Sequence, residues 1–408
     1  MKTILPIVVL FISGTVASAQ QARTEHVSAE TRLDWVFAMA NQSPAEPPAE
    51  WLEGYTSAEQ SYSLYVPERY QKRKSWPLVI FISPGNGPTG FAQWKEACQK
   101  HEILYASPNG AGNNVPPPRR IHIIADVLDD IRRKYNVDTD RTYIGGHSGG
   151  GRIACSIAFA LPEYFGGVIP VCAGGELRPE SWLRQRVIDR LSIAQLTGET
   201  DFNRGEVNRM HQTRHASVGV RCKTWVVDGL GHGIPNSNVF AETFAWLEDD
   251  LPRRRKLAED WPASRISDTP TRSEWAARLT REAEARLKQK DLVYSGLMQL
   301  KGIHARWNDL PQAKAVLRTL TEYDSRPERP WDVDDIAEQR RFLIARARGV
   351  DAYASGEIPR QYQNQREAML QAAINLWAQV FQDGQDKAAV AEARERIPKL
   401  TALLKKDE

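Results

Sequence analysis

The sequence predicts an α/β protein, a mostly parallel sheet with helices on both faces, continued by an all-α region at the C-terminal end. Three observations lead there. Between residues 61 and 252 short apolar runs alternate with amphipathic stretches, the pattern of buried parallel strands joined by crossover helices. A glycine-rich elbow, Gly146-His147-Ser148-Gly149-Gly150, interrupts that alternation. From residue 273 to 408 the strands stop, and apolar positions recur every three to four residues among Ala, Leu, Glu, Arg and Gln.

Residues 1–19 have the layout of a signal peptide, with Lys2 first, an apolar run over 4–12, and Ala17-Ser18-Ala19 as a small-residue cleavage site before Gln20. The run is too short for a lasting bilayer span. The mature chain is therefore expected to be exported, periplasmic or extracellular, with no integral membrane span after cleavage. Residues 20–60 read as a lead-in, in which 29–40 fits one amphipathic helix and 44–49 a stiff connection.

The α/β domain is expected over 61–252. Its strands are predicted at 61–66, 77–82, 103–106, 142–145, 168–171, 193–197 and 223–227, and its helices at 121–135, 152–161, 206–216 and 239–250. Residues 253–272 are expected to be a linker. The run Arg253-Arg254-Arg255-Lys256 at its start reads as a solvated helix end. Six helices follow over 273–290, 293–306, 310–323, 332–353, 361–382 and 387–404. Residues 308–320 resemble a helical-repeat hairpin of tetratricopeptide type, without a clean period across the region. A bundle packed against the α/β domain is expected, with Trp275, Trp307 and Trp377 in its core. The second reading is a docking module for a protein partner.

Composition narrows the function. Of 408 residues, 41% are hydrophobic and 26% charged, enough for a buried core in a soluble protein. A net charge of +3 gives no argument for nucleic acid. Cys98, Cys155, Cys172 and Cys222 allow three disulfide pairings, and the sequence does not choose among them. No Cys-x-x-Cys or His-rich spacing suggests a metal, and the chemistry below needs no cofactor.

The elbow is a G-x-S-x-G match. A serine on a sharp strand-to-helix turn brings the residues two positions either side of it close together, so Gly146 and Gly150 are needed for room. The turn aims the N–H of Gly149 at the space above Ser148, where a developing oxyanion would sit. A serine needs a base, and the base needs an acid to fix its tautomer. The strand ending at Thr197 runs into Gly198-Glu-Thr-Asp-Phe202, and the strand ending at Val227 into a loop over 228–235 that holds His232. Asp201 and His232 thus fall on consecutive strand-end loops in the order serine, acid, histidine of an α/β-hydrolase. Glu199 and Asp228 compete for the acid; Asp201 is preferred because Asp228 shares the histidine's own loop. A second oxyanion donor is expected after the strand at 77–82, from Gly85 or Asn86, since Pro84 has no N–H. His147 is expected to line the substrate site. The polar loop over 107–118, with Asn113, borders the substrate cleft or is a rigid surface loop. His211 and His215 read as a solvated helix face.

The run from Ile131 to Gly151, with its Val137-Asp138 and Arg141 before the serine, resembles the nucleophile region of exported polyhydroxybutyrate depolymerase and feruloyl-esterase-like hydrolases. Pro162-Glu-Tyr-Phe165, and Gly231-His232 with Pro235, are similar to their next helix exit and histidine loop. The resemblance covers roughly residues 60 to 250. It implies an α/β-hydrolase fold acting on small or polymeric carboxylic esters through Ser148, His232 and Asp201. Where those relatives have His-Gly after the apolar strand, this chain has Ser83-Pro84-Gly85. The expected function is a secreted serine esterase. The alternatives are a peptidase of the same fold, or an idle hydrolase scaffold serving the helical tail.

Overall fold

The computed structural model describes residues 21–40 and 42–407; the expected signal peptide lies outside the described residues. One sheet is built from β1 (Arg23–His26), β2 (Ser61–Tyr65), β3 (Trp76–Ile82), β4 (Leu104–Pro108), β5 (Val137–His147), β6 (Gly167–Val171), β7 (Ser192–Gly198) and β8 (Arg221–Val227). Its spatial order is β1-β2-β4-β3-β5-β6-β7-β8. The β1–β2 and β2–β4 pairs are antiparallel, and the remaining neighbours are parallel. This is the α/β-hydrolase fold. β3 is buried at every position because helices cover both faces, which is why its sequence is a continuous apolar run rather than an alternating one.

The helices of this part are α1 (Phe91–His101), α2 (Pro117–Lys134), α3 (Gly149–Ala160), α4 (Ser181–Arg190), α5 (Thr213–Ser217), α6 (Ser237–Glu248) and α7 (Leu251–Asp260). α1 and α6 cover one face, where Trp94 stacks on Phe240 with ring centroids 4.3 Å apart. α2, α3 and α4 cover the other. The tail is α8 (Arg272–Leu287), α9 (Val293–Arg306), α10 (Pro311–Asp324), α11 (Trp331–Ala354), α12 (Arg366–Asp383) and α13 (Lys387–Asp407). Among the described residues no helix is long and apolar enough to cross a membrane. All four cysteines are free thiols.

The lead-in differs from expectation. In place of a helix over 29–40 there is irregular chain with one 3-10 turn, Trp35–Ala38, preceded by an edge strand, β1. The cause is a row of buried carboxylates on α2. Asp130, Asp126 and Asp129 accept the backbone N–H groups of Ser28, Thr31 and Arg32, and Asp126 and Asp130 also take the hydroxyls of Tyr55 and Tyr62. A buried carboxylate must find donors, and an extended lead-in supplies main-chain N–H groups that a helix would have used internally.

The stretch expected to be a linker is folded. Its first half is α7, and Ala263 and Ile266 beyond it are buried. Arg254, expected in solvent, is fully buried and donates to Asp140 O, Leu247 O and the Tyr143 hydroxyl. Two of those acceptors lie on β5 and the third on α6, so the residue closes a seam instead of ending a helix.

The tail shares a core with the α/β domain. One apolar cluster runs from Val27 in the lead-in through α2–α4 to Leu297 and Phe342 in the tail. Trp275 and Trp307 sit in it, and Trp377 sits in a second cluster formed by α11, α12 and α13. Buried ion pairs cross the junction. Arg184 on α4 meets Glu338 on α11 at 2.6 Å, and Arg306 on α9 meets both Glu163 and Asp34, at 2.7 and 3.0 Å. Removing one member of a buried pair strands its partners without compensation. Arg306→Met is expected to lower the unfolding free energy by about 3–5 kcal/mol, read from urea denaturation. A change within ~1 kcal/mol would show that the junction does not depend on this residue.

Candidate active site

Ser148 stands between β5 and α3 with φ 53° and ψ −121°, a conformation that costs a non-glycine residue about 1–3 kcal/mol. It is held by a hydrogen bond from its N–H to Val171 O on β6, 2.8 Å, and by its own carbonyl, which accepts from Gly151 N and Arg152 N. The flanking glycines are required. A Cβ on Gly146 would lie 2.6 Å from both Gly150 C and Ile82 O, and one on Gly150 would be closer still to Ile82.

Asp201 and His232 come together. The Nδ1 of His232 is 2.7 Å from Asp201 Oδ1. Two further donors fix the acid: Thr197 Oγ1 reaches its Oδ2 at 2.6 Å, and Asn203 N its Oδ1 at 3.0 Å. Neither competing carboxylate reaches the imidazole. Glu199 accepts from Gly229 N at 3.0 Å on the exposed surface, and Asp228 is exposed. The imidazole packs against His147, the residue before Ser148, with centroids 4.9 Å apart. Phe202 stacks on it at 3.9 Å and 22°. Ser148 Oγ makes no hydrogen bond among the described residues, so the serine–imidazole contact is not closed. Catalytic hydrogen bonds are commonly loose without substrate.

The remaining expected residues divide. Gly149 opens α3, where the first N–H groups have no partner inside the helix. Gly85 is not free, because its N–H donates to Ser83 Oγ at 3.0 Å. That leaves Asn86, whose carbonyl is pinned by Gly110 N while its N–H has no partner among the described residues. The hydroxyl of Ser83 is what ties up Gly85. Asn113 is exposed, and its N–H is anchored to Pro84 O at 2.8 Å. Its amide lies over Gly149, where a Cβ would collide with it, so the 107–118 loop borders the elbow. Burial pushes the His147 imidazole down to about 4, which keeps it neutral where His232 works and suits a wall better than a base.

Three contributors have no clear sequence signal. Phe202 and Asn203 follow the acid, but nothing local marks them as its neighbours in space. Cys172 ends β6 with φ 53° and lies beneath the histidine loop, its Sγ 3.3 Å from Gly233 O. Ligand atoms of His147, Cys172 and His232 lie within 4.8 Å of one another. Burial lifts the Cys172 thiol to about 12, which suits a neutral thiol held against the Gly233 carbonyl. His211 and His215 are buried rather than solvated. His211 pairs with Glu206 at 3.1 Å, and Glu206 with Arg152 Nη2 at 2.7 Å. This cluster ties the start of α3 to the turn Glu206–Gln212 that follows the acid loop.

No family model matches the chain. No curated protein matches it. Among solved structures, a thermostable esterase is similar at 22% identity and a TM-score of 0.37, over 48% of this chain and 60% of its own length. An S-formylglutathione hydrolase from Staphylococcus aureus is similar at 12% identity and a TM-score of 0.38, over 47% and 93%. A ferulic acid esterase is similar at 16% and 0.35, over 49% and 93%. Each leaves about half of this chain unmatched, and the fold stands on the strand order.

The buried network carries a pH dependence. Burial, then the charge of nearby His211, pushes His215 from its ordinary value near 6.5 down to about 3. Burial works to raise the Glu206 carboxyl, but hydrogen bonds from His211 and Arg152 overcome it and hold the group at about 2 against an ordinary 4.5. Both groups bind protons more readily in the unfolded chain. The stability that His215 supports is intact above pH 6.5 and lost as pH falls toward 3, and that of Glu206 is lost between 4.5 and 2. The urea midpoint should fall steadily from pH 7 to pH 4, and the slope between 6.5 and 5 should flatten in His215→Gln. An unchanged slope in that variant would assign the acid sensitivity elsewhere.

Proposed function

We propose that the chain is an exported serine esterase that cleaves carboxylic esters through an acyl-enzyme. Ser148 is the nucleophile, His232 the general base, and Asp201 the residue that orients the imidazole. The observation that carries this reading is the 2.7 Å hydrogen bond between Asp201 and His232, on the loops after β7 and β8, with the ring packed against His147, the residue before the strained serine. With Nδ1 committed to the carboxylate, Nε2 is the nitrogen that takes the serine proton.

The chemistry follows in two halves. Ser148 Oγ attacks the ester carbonyl as His232 accepts its proton, and the tetrahedral oxygen is met by the N–H groups of Gly149 and Asn86, each donor contributing ~3 kcal/mol to the barrier. His232 returns the proton to the leaving alcohol. A water then repeats the sequence on the acyl-serine, releasing the acid and restoring the hydroxyl. No step calls for a metal or an organic cofactor.

A fluorophosphonate probe is expected to label the purified protein, and Ser148→Ala to abolish labelling. With p-nitrophenyl acetate as substrate, His232→Ala should lower kcat by about 10³-fold or more. Labelling that survives in Ser148→Ala would remove the nucleophile assignment, and turnover of peptides without esters would favour a peptidase. For the export half of the reading, the N-terminus of protein recovered from periplasm or medium should begin at Gln20. A chain found only in the cytoplasm with residues 1–19 intact would overturn it.

A further inference from the structure

An open cleft of about 700 Å³ lies beside the Asp201–His232 pair. One wall is the acid loop and the turn after it. The other is Glu357, Ile358, Pro359 and Arg360, in the connection between α11 and α12 of the tail. Arg209 stitches the walls together. Its Nη2 donates to Glu357 O, and a Cβ on either Gly205 or Gly356 would collide with its guanidinium. Phe202, 37% exposed and stacked on the His232 ring, is the edge that the cleft shares with the histidine.

Many arginines of the chain are matched to carboxylates, as in Arg184–Glu338, Arg340–Asp383 and Arg396–Asp351, and others, such as Arg119 and Arg120, are spent on backbone carbonyls. In this cleft, among the described residues, Arg204 donates to the carbonyl of Glu199 and Arg209 to that of Glu357, and neither meets a carboxylate. Arg360, which is exposed, has no hydrogen bond or ion pair among the described residues. Of the cleft's carboxylates, Asp201 is occupied by His232, Thr197 and Asn203, and Glu199 by Gly229 N. Glu357 is exposed. Three guanidinium groups with no carboxylate partner therefore surround a space of substrate size. A planar guanidinium is the side chain best suited to hold a carboxylate.

Position says which part of the ester enters. His232 delivers its proton to the leaving oxygen, so the alcohol departs on the imidazole's side, and Phe202, stacked on that ring, also lines the cleft. We propose that the cleft takes the alcohol portion of an ester bearing a carboxylate, held by Arg204 and Arg360, and that the helical tail is thereby part of the substrate site. This rests on the serine-esterase reading above.

The test compares 3-acetoxybenzoate with 3-acetoxybenzamide, two esters of the same size that differ in one charge, each rate normalised to hydrolysis by hydroxide. At low ionic strength kcat/KM should favour the benzoate by about tenfold, the effect expected of one charge-assisted contact, and the preference should shrink in 1 M salt, where screening is about 3 Å. Arg360→Gln and Arg204→Gln should each reduce the ratio, and the double variant should bring it near one. A ratio at or below one in the wild-type chain, or one unchanged in the double variant, overturns the proposal while leaving esterase activity in place. If neither ester is turned over and the fluorophosphonate fails to label Ser148, the esterase reading falls and this proposal with it.

Discussion

The site depends on one backbone constraint, the left-handed strain at Ser148. A serine at φ 53° relaxes unless its surroundings over-determine it. Here β6 does most of the holding. Val171 O accepts the serine N–H, and the next residue, Cys172, is itself strained at φ 53°. Its carbonyl takes Asn203 Nδ2 at 2.8 Å, and Asn203 N in turn holds Asp201. Its thiol reaches the carbonyl of Gly233 beside the histidine. One strand end thus touches the nucleophile's backbone, the acid's support and the histidine's loop. The three groups proposed for catalysis are all tied to the tip of β6, and Asp201 and His232 also to each other.

A second connection runs through α3. Arg152, one turn past the serine, pairs with Glu206, which sits on the turn leading away from the acid loop. An ion pair of this kind, with Glu206 buried and Arg152 partly exposed, adds little stability, but it is directional in a way that an apolar contact is not. The same logic applies at the junction with the tail. Arg306 reads both Asp34 and Glu163, so lead-in, hydrolase and tail settle in one register. The aspartates of α2 do the equivalent for the lead-in, accepting N–H groups from consecutive parts of an otherwise featureless segment.

How much of this is legible in the sequence depends on where the forces lie. β3 is readable because burial on both faces leaves a continuous apolar run, and α9 because its apolar stripe repeats at helical spacing over its whole length. The elbow is readable because its sterics exclude side chains at two positions. α1 and α4 are not: α1 buries only Trp94, Ala97 and Cys98, and the buried face of α4 includes Ser181, Arg184 and Arg190, which do not read as apolar positions. The extended lead-in is illegible for another reason: its partners, the α2 aspartates, lie about 100 residues away, and each alone looks like a solvated carboxylate. Arg254 misleads in the same way, since a basic run gives no hint that one of its members is wrapped by carbonyls. At the site, the order of Ser148, Asp201 and His232 could be read from strand ends. The occupation of the Gly85 N–H could not, because it follows from the rotamer of Ser83.

The two halves of the tail do different physical work, and this bears on what the tail is for. A tethered docking module keeps its own core and touches its carrier weakly. α8, α9 and α10 do not behave that way, since Trp275, Leu297 and Trp307 belong to the hydrolase's own cluster. α11, α12 and α13 instead close a separate core, around Asp351, which takes Trp377 Nε1 at 2.7 Å and the guanidinium of Arg396. A unit that is rigid in itself and anchored through α11 to α4 can hold a short connection at a fixed place. The connection it holds is 355–365, and 357–360 of it face the acid loop across the cleft. Arg209, packed against both Gly205 and Gly356 and bonded to Glu357 O, clamps that connection to the acid loop, which is what the proposed substrate cleft requires of the tail.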